Sequence, residues 1–76
     1  MDELNRITHT SGVMGGRACI RGMRVTVSMI VGQMAGGASP DELLAEYPYL
    51  ERDDITQALR YAAWLAEERE MPLSAP

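Results

Sequence analysis

The sequence predicts a mainly α domain: three helices behind a short N-terminal β-hairpin, the last two helices in a helix-turn-helix outline. Three observations predict it. From Val27 onward, apolar residues recur at three- and four-residue spacing. Two helix-start signals and a Gly-Gly stop punctuate that pattern. Ahead of it, glycines separate two short runs of strand-compatible residues.

The hairpin comes first. Arg6-Ile7-Thr8-His9 and Arg17-Ala18-Cys19-Ile20-Arg21 flank Gly12, Gly15 and Gly16. Thr, Ile and Cys suit a strand, and the glycines permit the reversal. A lone two-stranded hairpin is marginal in water, so this one must pack on the helices or on a second chain. The first helix follows, with Thr26 as its cap and Val27, Ile30, Val31, Met34 and Ala35 on one face. Gly36-Gly37 ends it, because a C-cap needs the left-handed conformation. Ser39, Pro40 and Glu42 then spell a capping box with proline at its preferred position. The second helix turns Leu43, Leu44 and Tyr47 inward and stops before Pro48. After a turn at Tyr49-Leu50, the third helix runs from about Arg52 to Glu68 or Glu70. Its predicted inner stripe is Ile55, Ala58, Leu59, Ala62, Leu65 and Ala66, and Asp53 and Asp54 favour its N-terminal dipole. The chain divides into an arm at 1–26, a bundle at 27–70 and a flexible tail at 71–76, one domain overall.

Length and charge bound the function. With 76 residues and 5% aromatics, the core rests on Leu, Ile, Val, Ala and Met, and self-association helps a core this small. No stretch is long and apolar enough to span a membrane, and the single cysteine excludes an internal disulfide. An acidic, polar N-terminus does not read as a signal peptide, so a cytoplasmic location is expected. The net charge of −4 argues against a general nucleic-acid glue. The charge is unevenly spread, however. Residues 1–38 hold four arginines against two acids, a charge of +2; residues 39–76 hold three arginines against nine acids, a charge of −6. Lysine is absent throughout.

Candidate sites follow from that asymmetry. Arg17, Arg21 and Arg24 form the basic segment. It can meet DNA phosphates, the acids of a partner, or the acidic helices of this protein itself. In a domain-swapped homodimer, the hairpin of one chain would lie on the helices of the other. If the third helix reads DNA, its outer face offers Thr56, Gln57, Arg60 and Tyr61, with Trp64 beside them. Against that, Asp53 and Asp54 stand at the entry where recognition helices meet phosphate. Tyr61 and Trp64 serve either as a partner-binding aromatic pair or as packing beneath the hairpin. Enzyme chemistry is not expected. His9 and Cys19 could act as base and nucleophile only if the strands paired them, and no spacing suits zinc or a phosphate loop. No cofactor or metal is implied.

Several motifs recur in order as in one known family. The run Gly15-Gly16-Arg17-Ala18-Cys19-Ile20-Arg21-Gly22-Met23-Arg24-Val25-Thr26-Val27 carries the resemblance. So do Gly37-Ala38-Ser39-Pro40-Asp41-Glu42-Leu43-Leu44, Tyr47-Pro48-Tyr49-Leu50 and Asp54-Ile55-Thr56-Gln57-Ala58-Leu59-Arg60-Tyr61. The sequence resembles a small bacterial family catalogued as domain-of-unknown-function family 433, over about residues 6–64. That resemblance implies a homeodomain-like helix-turn-helix with an N-terminal β element and a VapB-like antitoxin role beside a PIN-type ribonuclease toxin. The first functional hypothesis is then an antitoxin that binds the nuclease, with operator DNA as a candidate second partner. The chain departs from the family's pattern at Ala18, usually proline, and at Met23, usually threonine. Glu51 stands where threonine commonly caps the third helix, which would cost about 0.5–2 kcal/mol unless Asp53 caps a later start. Among exposed arginines, Arg21 and Arg24 come ahead of Arg69 for pairing with the nuclease's metal-binding carboxylates. The alternatives are a dimeric protein-interaction module and a stand-alone transcriptional regulator without a toxin.

Overall fold

The computed structural model describes residues 4–69, with helix side chains through Glu67. It has two short strands, β1 (Ile7–Thr8) and β2 (Cys19–Ile20), then α1 (Val27–Ala35), α2 (Pro40–Glu46) and α3 (Arg52–Arg69). A single 3-10 turn at Met14–Gly16 interrupts the loop between the strands. This is the predicted three-helix, homeodomain-like helix-turn-helix with an N-terminal hairpin. The predicted tail at 71–76 lies outside the described residues.

β1 and β2 pair antiparallel, with Ile7 opposite Ile20 and Thr8 opposite Cys19. β2 is also paired on its other side. Ile20 N–H donates to the Val25 carbonyl at 2.9 Å, and Val27 N–H to that of Ala18 at 2.9 Å. The chain reverses through Arg21 and Gly22, both left-handed at φ 48° and 72°. Consecutive positive φ values mark a type I′-like turn, whose first position glycine or asparagine usually fills. Arginine there carries backbone strain, and its side chain shows why it is kept.

The helix boundaries follow their caps. Thr26 Oγ1 accepts from Met29 N–H at 3.1 Å and starts α1. Gly37, at φ 107°, closes it. Ala38 N–H reaches the Gln33 carbonyl and Gly37 N–H that of Met34, both at 3.0 Å, which is a Schellman ending. Ser39 and Glu42 complete the predicted capping box at 3.1 and 2.8 Å. The start of α3 differs from expectation. Neither a later start nor Asp53 replaces the missing threonine. The helix begins at Arg52, and Asp54 Oδ2 accepts from Glu51 N–H at 2.8 Å. That supplies the return half of a capping box from the first turn.

Ile20, Ile30, Leu43 and Ala58 form the centre of the core, joined by Val25, Val27, Leu50, Ile55 and Tyr61. On α3 the buried line is Asp54, Ile55, Ala58 and Tyr61, with Leu65 half-buried. Two members of the predicted stripe lie outside it: Leu59 is 38% exposed, and Ala66 is exposed. The inner face is rotated toward Asp54 and Tyr61, two residues whose polar atoms disguised them as surface. Their partners explain the rotation.

Candidate functional site

Asp54 is fully buried, with its carboxylate at the junction of the hairpin and α3. Two arginines of the N-terminal segment converge on it. Arg6 Nη1 donates to Oδ1 at 2.9 Å. Arg21 Nε donates to Oδ1 at 3.1 Å and Arg21 Nη2 to Oδ2 at 2.9 Å, a two-point clamp. Arg21 Nη2 also donates to the Tyr49 carbonyl, and Arg6 reaches Glu51 at 2.7 Å. Burial alone raises the Asp54 carboxyl. The hydrogen bonds from Arg21, Glu51 N–H and Arg6 outweigh it and hold the group below its ordinary value. Both arginines are raised in turn, by their hydrogen bonds to Glu51 and Asp54 for Arg6, and to Asp54 for Arg21. The left-handed turn at Arg21 aims its guanidinium at Asp54, which accounts for an arginine in a strained position.

This clasp settles part of the charge asymmetry within one chain. The basic hairpin closes on this chain's own α3. Arg21 is therefore not part of an open basic patch. The pairing across β2 sets Arg21 opposite Arg24 at the turn and Arg17 toward the start of α1. Arg17 and Arg24 stand at opposite ends of this short ladder, both exposed. Among the described residues, no ion pair engages either of them.

The expected reading face of α3 is also smaller than predicted. Tyr61 is buried, and its hydroxyl meets His9 Nε2 at 3.1 Å. Gln57 is half-buried and tied to the arm: its Oε1 accepts from Arg6 N–H at 2.8 Å, and its Nε2 donates to Asn5 at 3.0 Å. Thr56 and Arg60 remain exposed, with Trp64 at 37% exposure. Trp64 stays beside Tyr61, ring centroids 6.0 Å apart. Tyr61 thus takes the packing role and Trp64 keeps an open flank. His9 and Cys19 are not brought together. Thr8 is the residue opposite Cys19, and Cys19 is buried at 1% exposure.

An open groove of about 710 Å³ runs between α1 and α3. Val27, Val31, Tyr61, Ala62 and Leu65 give it an apolar floor, and Arg17 stands at its edge.

Sequence reading missed Arg6 and Asp54. The available signal was position. Asp54, Ala58, Tyr61 and Leu65 fall at helical spacing on one face, so an acid stood within an apolar line. A buried acid demands a cation, and Arg6 and Arg21 were the nearby supply.

Such a fold defines a small helix-turn-helix domain with a hairpin strapped across the start of its last helix. The chain belongs to the DUF433 family, described as a protein of unknown function, and matches it over residues 7–62. It is similar to a DUF433 member protein from Anabaena variabilis ATCC 29413, whose crystal structure was determined at 2.00 Å resolution. The two share 41% sequence identity with a TM-score of 0.78, over 84% of this chain and 63% of that one. The match therefore spans under two thirds of the relative. No curated protein matches the chain.

Proposed function

We propose that the protein is the antitoxin of a type II toxin–antitoxin pair and holds a PIN-type ribonuclease through the turn that follows β2. Arg24 carries the reading. Of the arginines at the turn, Arg21 is committed to Asp54, whereas Arg24 is exposed and among the described residues makes no ion pair. A nuclease that gathers metal-binding carboxylates offers a desolvated acidic pocket. A planar guanidinium on a short, anchored turn suits such a pocket, because little flexibility is lost on entry. The clasp on Asp54 holds the turn in place, so Arg24 is presented from a rigid base. Arg17, at the other end of the ladder, is positioned for a separate phosphate or carboxylate contact.

Operator binding is a second activity in this reading, and it rests on Arg17 and Arg24 more than on α3. Gln57 and Tyr61 are held by Arg6, Asn5 and His9, so few base-reading groups remain on that helix. A stand-alone regulator that reads bases with α3 is correspondingly less favoured.

Co-expression with the nuclease encoded beside it tests the proposal. The wild-type chain is expected to co-purify with the nuclease and block its RNA cleavage. Arg24→Ala is expected to lose at least tenfold in inhibition while keeping the wild-type circular dichroism. Failure of the wild-type chain to capture the nuclease would overturn the antitoxin reading.

A further inference from the structure

We infer that the outer face of α3 is a two-fold seam between copies of this chain, with α3 packed antiparallel on its counterpart. The residues directly opposite the buried line are Asp53, Thr56, Arg60, Ala63 and Glu67, with Trp64 at their margin, and all are exposed. Arg60 and Glu67 are seven residues apart, so they lie nearly in line along the helix, about 10 Å from each other. Ala63 and Trp64 sit midway. A two-fold axis passing between Ala63 and Trp64 sets Arg60 of each copy against Glu67 of the other, making two reciprocal ion pairs. The same axis lays each Trp64 over the Ala63 of the second copy. The charges thus complement themselves, as an isologous interface requires.

Packing agrees with the charge pattern. Alanine at the crossing permits close approach of two helices, and a tryptophan supplies the large apolar contact that anchors an interface. Trp64 is 37% exposed here, and it is a large apolar side chain beside a face of charged and small residues. The pattern disfavours nucleic acid as the occupant. Asp53, Arg60 and Glu67 alternate in sign down the helix, and the Asp53 side chain is 74% exposed. A phosphate backbone would meet acid at both ends of that line. A single helix pair buries less than a standard interface, so association in roughly the micromolar range is expected. The inference is independent of the antitoxin reading, since Arg24 lies on another element.

Trp64 is the only tryptophan, so its fluorescence reports the seam directly. Sedimentation velocity and tryptophan emission are measured from about 1 to 300 μM, a range around the expected affinity. The wild-type chain is expected to dimerise, with emission shifting to the blue as it does. Arg60→Glu and Glu67→Arg should each weaken association at least tenfold. The double variant Arg60→Glu/Glu67→Arg should restore it, with unchanged circular dichroism in all four chains. A wild-type chain that stays monomeric throughout would overturn the inference. So would dimerisation indifferent to either single reversal, or a double variant that fails to recover. If R60E instead abolishes operator binding without changing mass, this face reads DNA and the seam is wrong.

Discussion

Asp54 carries more of this structure than any other single residue. It caps α3, pairs with two arginines and ties the hairpin to the bundle, all from a buried position. Removing one partner of a buried ion pair usually costs about 3–5 kcal/mol. Here the arginine side chains retain 25% and 36% exposure, so water recovers part of that loss. Asp54→Ala is therefore expected to cost about 2–3 kcal/mol and lower the melting temperature by roughly 10 °C or more. Asp54→Asn keeps an acceptor for Glu51 N–H and should cost less. An unchanged melting temperature for Asp54→Ala would contradict the clasp. The pH dependence has a definite sign. The folded-state carboxyl lies below its unfolded-state value, so its stabilisation is complete above about pH 4. It is lost as pH falls through the folded-state value. Wild-type stability should drop more steeply than that of Asp54→Asn when the two are titrated into acid.

The elements were legible in the sequence to different degrees. α1 was read residue for residue and α2 to within one residue of its end, because their ends rest on local chemistry: Thr26, Gly37, Ser39, Pro40 and Glu42 act within four residues of their own position. Ser39→Ala is expected to cost about 1 kcal/mol through the lost cap. Gly37→Ala should cost a similar amount through its left-handed backbone, since no neighbour blocks an added methyl group. Thermal melts check both, and a Gly37→Ala chain as stable as wild type would contradict the Schellman ending. The face of α3 was less legible. Leu59 looked internal by type and is exposed, whereas Asp54 looked external and is buried. Which side of a helix turns inward depends on what arrives from elsewhere in the chain. Here Arg6 and Arg21 come from 48 and 33 residues away. Long-range contacts likewise withdrew Arg21, Gln57 and Tyr61 from the candidate surface, through Asp54, the Asn5–Arg6 segment and His9 respectively. Arg17, Arg24, Thr56, Arg60 and Trp64 remained on it.

At the scale of the molecule, a +2 segment folds against a −6 segment, and the chain partly neutralises itself. Among the described residues, the charges left without an ion pair include an informative remainder: Arg24 at the turn after β2, Arg17 by the α1–α3 groove, and Arg60 and Glu67 on α3. These lie on separate elements, so the proposed nuclease capture and the inferred self-association would use different surfaces. In the proposed antitoxin role, Arg24 inhibits by occupying the carboxylates that would hold the nuclease's metal. Manganese titration by calorimetry tests it most directly, using the nuclease alone, its complex with the wild-type chain, and its complex with Arg24→Ala. The free nuclease is expected to bind manganese, the wild-type complex to bind it at least tenfold more weakly, and the Arg24→Ala complex to recover the affinity. Equal manganese affinity in all three would contradict it.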